Sequence, residues 1–217
     1  VEKIYRITGW TVLVVVALVV ISRVVALRWW QLPSQSADPE LAASLAPSLE
    51  GGDWVLLWRL TRPGKGDLVI CPDPDDGSNI VIGRIAGETG DSISIDGQAV
   101  LLNGSKPPIE YNCTEQAFSL TDPDTTQEVK IFCDMEEIGE KLHMRGHNGL
   151  LKAHKARRFE KVVEPGKVFL LSDNRVHPFD SRHFGTVDRQ SCSETVFFRL
   201  VSARGFFDHA RRLSYIR

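Results

Sequence analysis

Ala42-Ala-Ser44-Leu-Ala-Pro47-Ser-Leu-Glu-Gly-Gly-Asp53 lies between a long apolar run and the first segment with strand character. Clusters of Ser, Ala, Pro and Gly usually form linkers. Ser44, three residues before Pro47 in a loop of small residues, also sits where an exposed nucleophile could sit. The chain on either side has to decide between the two.

Upstream, residues 7–27 are almost entirely apolar. About 20 apolar residues span the hydrocarbon core of a bilayer as a helix. Arg23 is the one defect and is close enough to the end to snorkel towards headgroups. Trp29 and Trp30 follow at the level of an interfacial aromatic belt. Lys3 and Arg6 precede the run while Arg23 and Arg28 close it, so charge leaves the orientation ambiguous. The very short N-terminal tail favours the N-terminus inside and the domain outside. A cleaved signal would have a shorter apolar core and a small-residue cleavage site; Arg28-Trp-Trp-Gln31 follows instead. The expected division is an anchor over 1–30 and a polar tether over 31–43.

Downstream, short strand-like runs alternate with turn residues. Trp54–Arg59, Leu68–Cys71, Asn79–Ala86, Ser92–Ile95 and Ala99–Leu102 read as strands, with Asp96-Gly97 as a hairpin turn. The first part of a β core spans 44–104. Residues 105–162 are more polar and irregular and read as an inserted β lobe, with Glu128–Cys133 as one of its strands. Strand character returns over 163–217, at 166–171 and 194–201. The fold class expected is mainly β, with an N-terminal transmembrane helix followed by a β domain that carries a second lobe.

Composition adds little bias. A net charge of −2 gives no global pull towards nucleic acid. The four cysteines, Cys71, Cys113, Cys133 and Cys192, have no CxxC spacing, which weakens a zinc or thioredoxin-type reading.

Four separated blocks, taken in order, resemble the type I signal peptidases, membrane-anchored serine peptidases with a Ser-Lys dyad. Ser44-Leu-Ala-Pro47-Ser-Leu…Gly52-Asp53 resembles the nucleophile motif. Lys65-Gly66-Asp67-Leu-Val-Ile70 resembles the following strand. Gly83-Arg84-Ile-Ala-Gly87-Glu-Thr-Gly90-Asp91 resembles the block that opens with the catalytic lysine. Ser172-Asp173-Asn174-Arg175 through Asp180-Ser181-Arg182-His-Phe184-Gly185 resembles the Gly-Asp-Asn-Arg…Asp-Ser-Arg block and is the most specific. The resemblance implies a signal-peptidase-like β domain on the periplasmic side of a bacterial inner membrane. It also implies signal peptides or preproteins, and other envelope proteins, as partners, with no cofactor, no metal and no nucleic acid. A signal peptide would add as an extended strand, with Leu45, Pro47 and Asp53 around it. Gly87, Gly90 and Asp91 would form a turn near the site. Asp180 and Arg182, with Arg84, would form a buried charged cluster, since buried charges need partners.

The dyad itself is incomplete. A serine hydroxyl needs a base to become a good nucleophile. Gly83 holds the lysine's position, and Arg84 beside it stays protonated. Pro178 holds the position of the serine that orients the lysine. His177 is next to it and has a suitable unperturbed pKa, but geometry decides a base before pKa does. His143 and His147 have helical i, i+4 spacing, with His154 beyond; glycines at 146 and 149 weaken a helix there, and a solvated lobe surface is expected. Outside the cytoplasm Cys113 and Cys133 could pair, which would stabilise by about 3 kcal/mol in the chain-entropy model. Cys71 and Cys192 read as buried strand thiols. Three functions follow: a non-catalytic homologue that binds extended peptides or joins an envelope complex, an active signal peptidase using Ser44, or a purely structural subunit.

Overall fold

The computed structural model describes residues 2–149 and 158–216; of residues 2–7 and 22–24 it describes the backbone alone. Helix α1 covers Glu2–Val25, and the described side chains from Thr8 to Ile21 are all exposed. Among the described residues no helix is long and apolar enough to cross a membrane. Lys3, Arg6 and Arg23, which bear on the expected span and its orientation, have side chains outside the described set.

The apolar run does not extend into an anchor as far as residue 30. Leu27–Gln31 forms strand β1, which pairs antiparallel with β2, Trp54–Trp58. The expected tether is corrected in the same way: within it begins helix α2, Pro39–Leu45. Asp38 caps that helix by accepting from Leu41 N at 3.0 Å, and proline opens its first turn. The β domain therefore starts at Leu27.

The remaining strands are β3 (Leu68–Pro72), β4 (Ile80–Glu88), β5 (Ser92–Asp96), β6 (Ala99–Leu102), β7 (Ile109–Thr121), β8 (Glu128–Ile138), β9 (Lys141–His147), β10 (Phe159–Val162), β11 (Lys167–Leu171), β12 (Val187–Asp188), β13 (Glu194–Val201) and β14 (Ser214–Tyr215), with a one-turn helix α3 at Ser181–Phe184. The main sheet runs β1-β2-β13-β3-β4-β11-β12, with β14 added to β13. β4 lies next to β3 and β11 and is buried without interruption from Val81 to Gly87, Arg84 included, as suits a strand covered on both faces. β5 alternates polar and apolar residues and turns through Gly97, at φ 62°, into β6.

The inserted lobe is smaller than the sequence suggests. It is the sheet β7-β8-β9, whereas β10 pairs with β5 in a separate sheet, β10-β5-β6. One core cluster joins α2 to the main sheet through Leu41, Leu45 and Leu49 against Val55, Leu57, Leu68, Ile82 and Val196. Burying such side chains contributes on the order of 1.5–3 kcal/mol each.

Cys113 and Cys133 form a disulfide between β7 and β8. Cys71 and Cys192 are not separate thiols: they form a second disulfide, tying β3 to the turn before β13 across a sequence separation of 121.

Candidate functional site

The opening stretch is neither an exposed loop nor a linker. Leu41, Ser44 and Leu45 share one face of α2, because residues three and four apart on a helix are neighbours. The two leucines enter the core and take Ser44 with them, so its side chain is fully buried. Ser44 Oγ donates to Leu41 O at 2.8 Å, a bond inside its own helix. Among the described residues, no lysine, histidine or carboxylate hydrogen-bonds that hydroxyl.

Position 83 is tightly enclosed. Gly83 lies in β4 opposite Val69 of β3. A Cβ added there would stand 2.9 Å from Leu170 Cβ, closer than side chains tolerate, and 3.5 Å from Leu171 N. Leu170 cannot easily give way, because it is fully buried and its backbone N–H donates to Ser181 Oγ at 2.9 Å. A side chain at position 83 would thus meet Leu170.

The fourth block closes over α2 from the other side. Asn174 N donates to Ser44 O at 3.0 Å, and Asn174 Nδ2 donates to Ala43 O at 2.9 Å. Asn174 Oδ1 accepts from Val176 N at 2.9 Å. Ser172 Oγ donates to Phe179 O at 3.1 Å and accepts from Phe179 N at 3.0 Å. Those bonds shut the loop that contains Pro178. His177 points elsewhere, its Nε2 standing 3.9 Å from Asp122 at the end of β7.

The charged residues pair differently from expectation. Arg84 does not join Asp180 and Arg182; its guanidinium holds Asp173 by two bonds of 2.8 Å. Asp180 caps α3 and pairs with Arg182 at 2.7 Å. Asp53 accepts from Glu50 N at 2.9 Å, Arg199 Nε at 2.7 Å and Ala203 N at 2.7 Å, which fixes the end of the opening stretch to β13. Asp91 accepts from Glu88 N at 2.7 Å, around Gly90 at φ 86°, and binds Lys65 at 2.7 Å. Pro47 lines two surface cavities of about 390 and 290 Å³ between β7 and the C-terminal segment.

Several residues of this centre escape a reading by motif. Glu136, on β8, binds Arg175 and stands 3.2 Å from His143 Nε2 of β9. His143 is fully buried, so the expectation of a solvated surface fails for it; it lies in the strand Lys141–His147. His147 is only partly buried, 3.3 Å from Asp134, and His154 lies outside the described residues. Among the described residues no group of His, Cys, Asp and Glu has the arrangement of a metal site. Ser48 Oγ bonds to Asp173, and Gly146 N to Asp173 O at 2.9 Å. A buried arginine in a strand such as Arg199 must find a partner, and that rule could have marked Arg199 in the sequence.

Electrostatics follow from this pairing. Burial would raise the Asp173 carboxyl, but Arg84, His143 and the Ser48 hydroxyl together hold the group below the ordinary carboxylate range. Glu136 is likewise lowered by Arg175, and then by His143, against the effect of burial. Burial, reinforced by the charge of Arg84, lowers His143 against the opposing pull of Glu136 and Asp173, and favours a neutral ring.

The signal peptidase, peptidase S26 family model matches residues 5–201. The chain belongs to that family. It is 26% identical to a signal peptidase I of Bacillus licheniformis over 163 residues, covering 71% of this chain and 72% of the relative. A crystal structure of a signal peptidase I from Enterococcus faecalis V583 aligns with a TM-score of 0.36 and 20% identity, over 63% of this chain and 97% of the other.

Proposed function

We propose that this chain is a membrane-anchored, non-catalytic signal peptidase relative that binds extended peptides of exported preproteins without cutting them. The observation that carries the reading is the state of Ser44: a buried hydroxyl bonded to Leu41 O, with the space beyond Gly83 closed by Leu170. A serine without a base loses orders of magnitude in rate. The binding half of the reading comes from the family scaffold, whose extended-strand recognition does not require the dyad.

The inner membrane is the proposed location, with α1 as a single span and the β domain on the periplasmic side. Two disulfides suit an oxidising compartment. Trp29, 52% exposed, lies in β1, the strand that follows α1. Aromatic rings of this kind favour a membrane interface.

Photocrosslinking tests the reading. Full-length protein in nanodiscs is incubated with a preprotein that carries crosslinkers along its signal segment. Crosslinks to α2 and β4 on an uncut preprotein support it. Release of a mature product, or crosslinks no stronger than those to a scrambled polar segment, contradicts it.

A further inference from the structure

The inserted lobe meets the core at a buried charged cluster that no catalytic role uses. β8 contributes Glu136, β9 contributes His143 and Arg145, β4 contributes Arg84, and the fourth block contributes Asp173 and Arg175. The lobe also bonds this block through its backbone: Gly146 N donates to Asp173 O, and Arg175 N to Gly146 O, each at 2.9 Å. Gly146 has little spare room, since a Cβ there would lie 3.3 Å from Ala46 O and from Pro47 Cδ. The lobe therefore presses the fourth block onto the opening stretch, and the fourth block covers Ser44 through Asn174 and Ser48 through Asp173.

His143 sits in the middle of this contact. Its Nε2 lies 3.2 Å from Glu136 Oε2 and 4.0 Å from Asp173 Oδ1, yet neither ring nitrogen has the alignment of a hydrogen bond. Arg175 Nη1 beside it is also buried without an acceptor. With a neutral ring, two arginines, Arg84 and Arg175, balance two carboxylates, Asp173 and Glu136. Arg145 is held by Asp134, with His147 3.3 Å from the same carboxylate, and Arg182 by Asp180. A proton from solvent on His143 adds one uncompensated charge to a fully buried centre, which is costly.

We propose that His143 is a proton-operated latch: neutral, it lets the lobe hold the fourth block closed over Ser44 and Ser48, and protonated, it loosens the lobe and opens that edge. The functional consequence rests on reading the Ser44 edge as the peptide site; the opening itself does not. Such local release is a sub-global event, distinct from unfolding of the sheet.

Backbone hydrogen exchange of the full chain in nanodiscs, corrected for intrinsic pH effects, tests the latch. Between about pH 7.5 and about pH 5, exchange over 39–49 and 172–178 should accelerate roughly tenfold or more while β2 and β3 stay protected. His143→Gln, which carries no titratable ring, should remove the pH response. The same response in His143→Gln overturns the proposal, as does no response in the wild type or uniform acceleration across the domain. If that variant fails to fold, the wild-type ring titration followed by NMR decides. A His143 midpoint matching the exchange midpoint supports the latch, and a separate midpoint contradicts it. Loss of peptide crosslinking with the exchange response intact would sink the peptide-binding reading and leave the latch standing.

Discussion

Gly83 and Leu170 approach so closely that a single carbon added to the glycine would lie 2.9 Å from the leucine's Cβ. A side chain at position 83 would therefore have to displace Leu170 of β11, beside a register irregularity between Phe169 and Leu170.

Restoring the family residues should consequently not restore activity. Gly83→Ala alone is expected to destabilise by about 1–3 kcal/mol through overpacking, measured by urea unfolding. Gly83→Lys with Pro178→Ser should be less stable still and should release no mature product from a preprotein. A stable double variant that cleaves would show that the site reopens readily.

The buried pair Arg84–Asp173 supports the contact between β4 and the fourth block. Arg84→Ala leaves a buried carboxylate unpaired and should cost about 3–5 kcal/mol. Replacing both partners by apolar residues of similar size should cost less than the single change. The double-mutant cycle measures the difference, and additive losses would mean the pair is not coupled.

Acid should destabilise the domain in two stages. His143 is lowered from its ordinary 6.5, so below that pH the unfolded chain takes up a proton that the folded chain resists. Its contribution is full above the ordinary value and declines as pH falls beneath it. Asp173, from 3.8, and Glu136, from 4.5, are also lowered. Their contribution is present above those values and is lost as pH falls through the depressed ones. Urea midpoints followed across pH should decline first near the histidine range and again in the carboxylate range. In His143→Gln the first decline should shrink to the part that His147, also lowered by burial, contributes.

The two disulfides should differ in weight. In the chain-entropy model, closing a loop of about 120 residues stabilises by roughly 5 kcal/mol and one of about 20 by roughly 3. Cys71→Ala with Cys192→Ala should therefore lower the thermal midpoint more than the corresponding change at Cys113 and Cys133. Equal shifts would indicate that strain or residual unfolded structure governs both.

The strands were legible in the sequence because turn residues and apolar runs are local signals, and the family was legible through the resemblance of the four blocks. Asp96-Gly97 and the Leu68–Cys71 run needed no tertiary information. Ser44 was misread because its burial depends on Leu41 and Leu45 entering the core, which the surrounding small residues do not announce. The capping of α2 by Asp38 ahead of Pro39 was a readable signal. His143 and His147 were expected on a solvated lobe surface; His143 is buried because β9 packs it against Glu136 and Asp173, which lie outside its own segment. Cys71 and Cys192 could not be paired from sequence, since strands far apart in the chain bring them together.

The most direct test compares wild-type protein with Ser44→Ala on a preprotein in nanodiscs, with a true signal peptidase as positive control. Neither protein should yield mature product, and both should bind the preprotein equally. Cleavage by the wild type that disappears in Ser44→Ala would contradict the non-catalytic reading and require a base that reaches the buried hydroxyl.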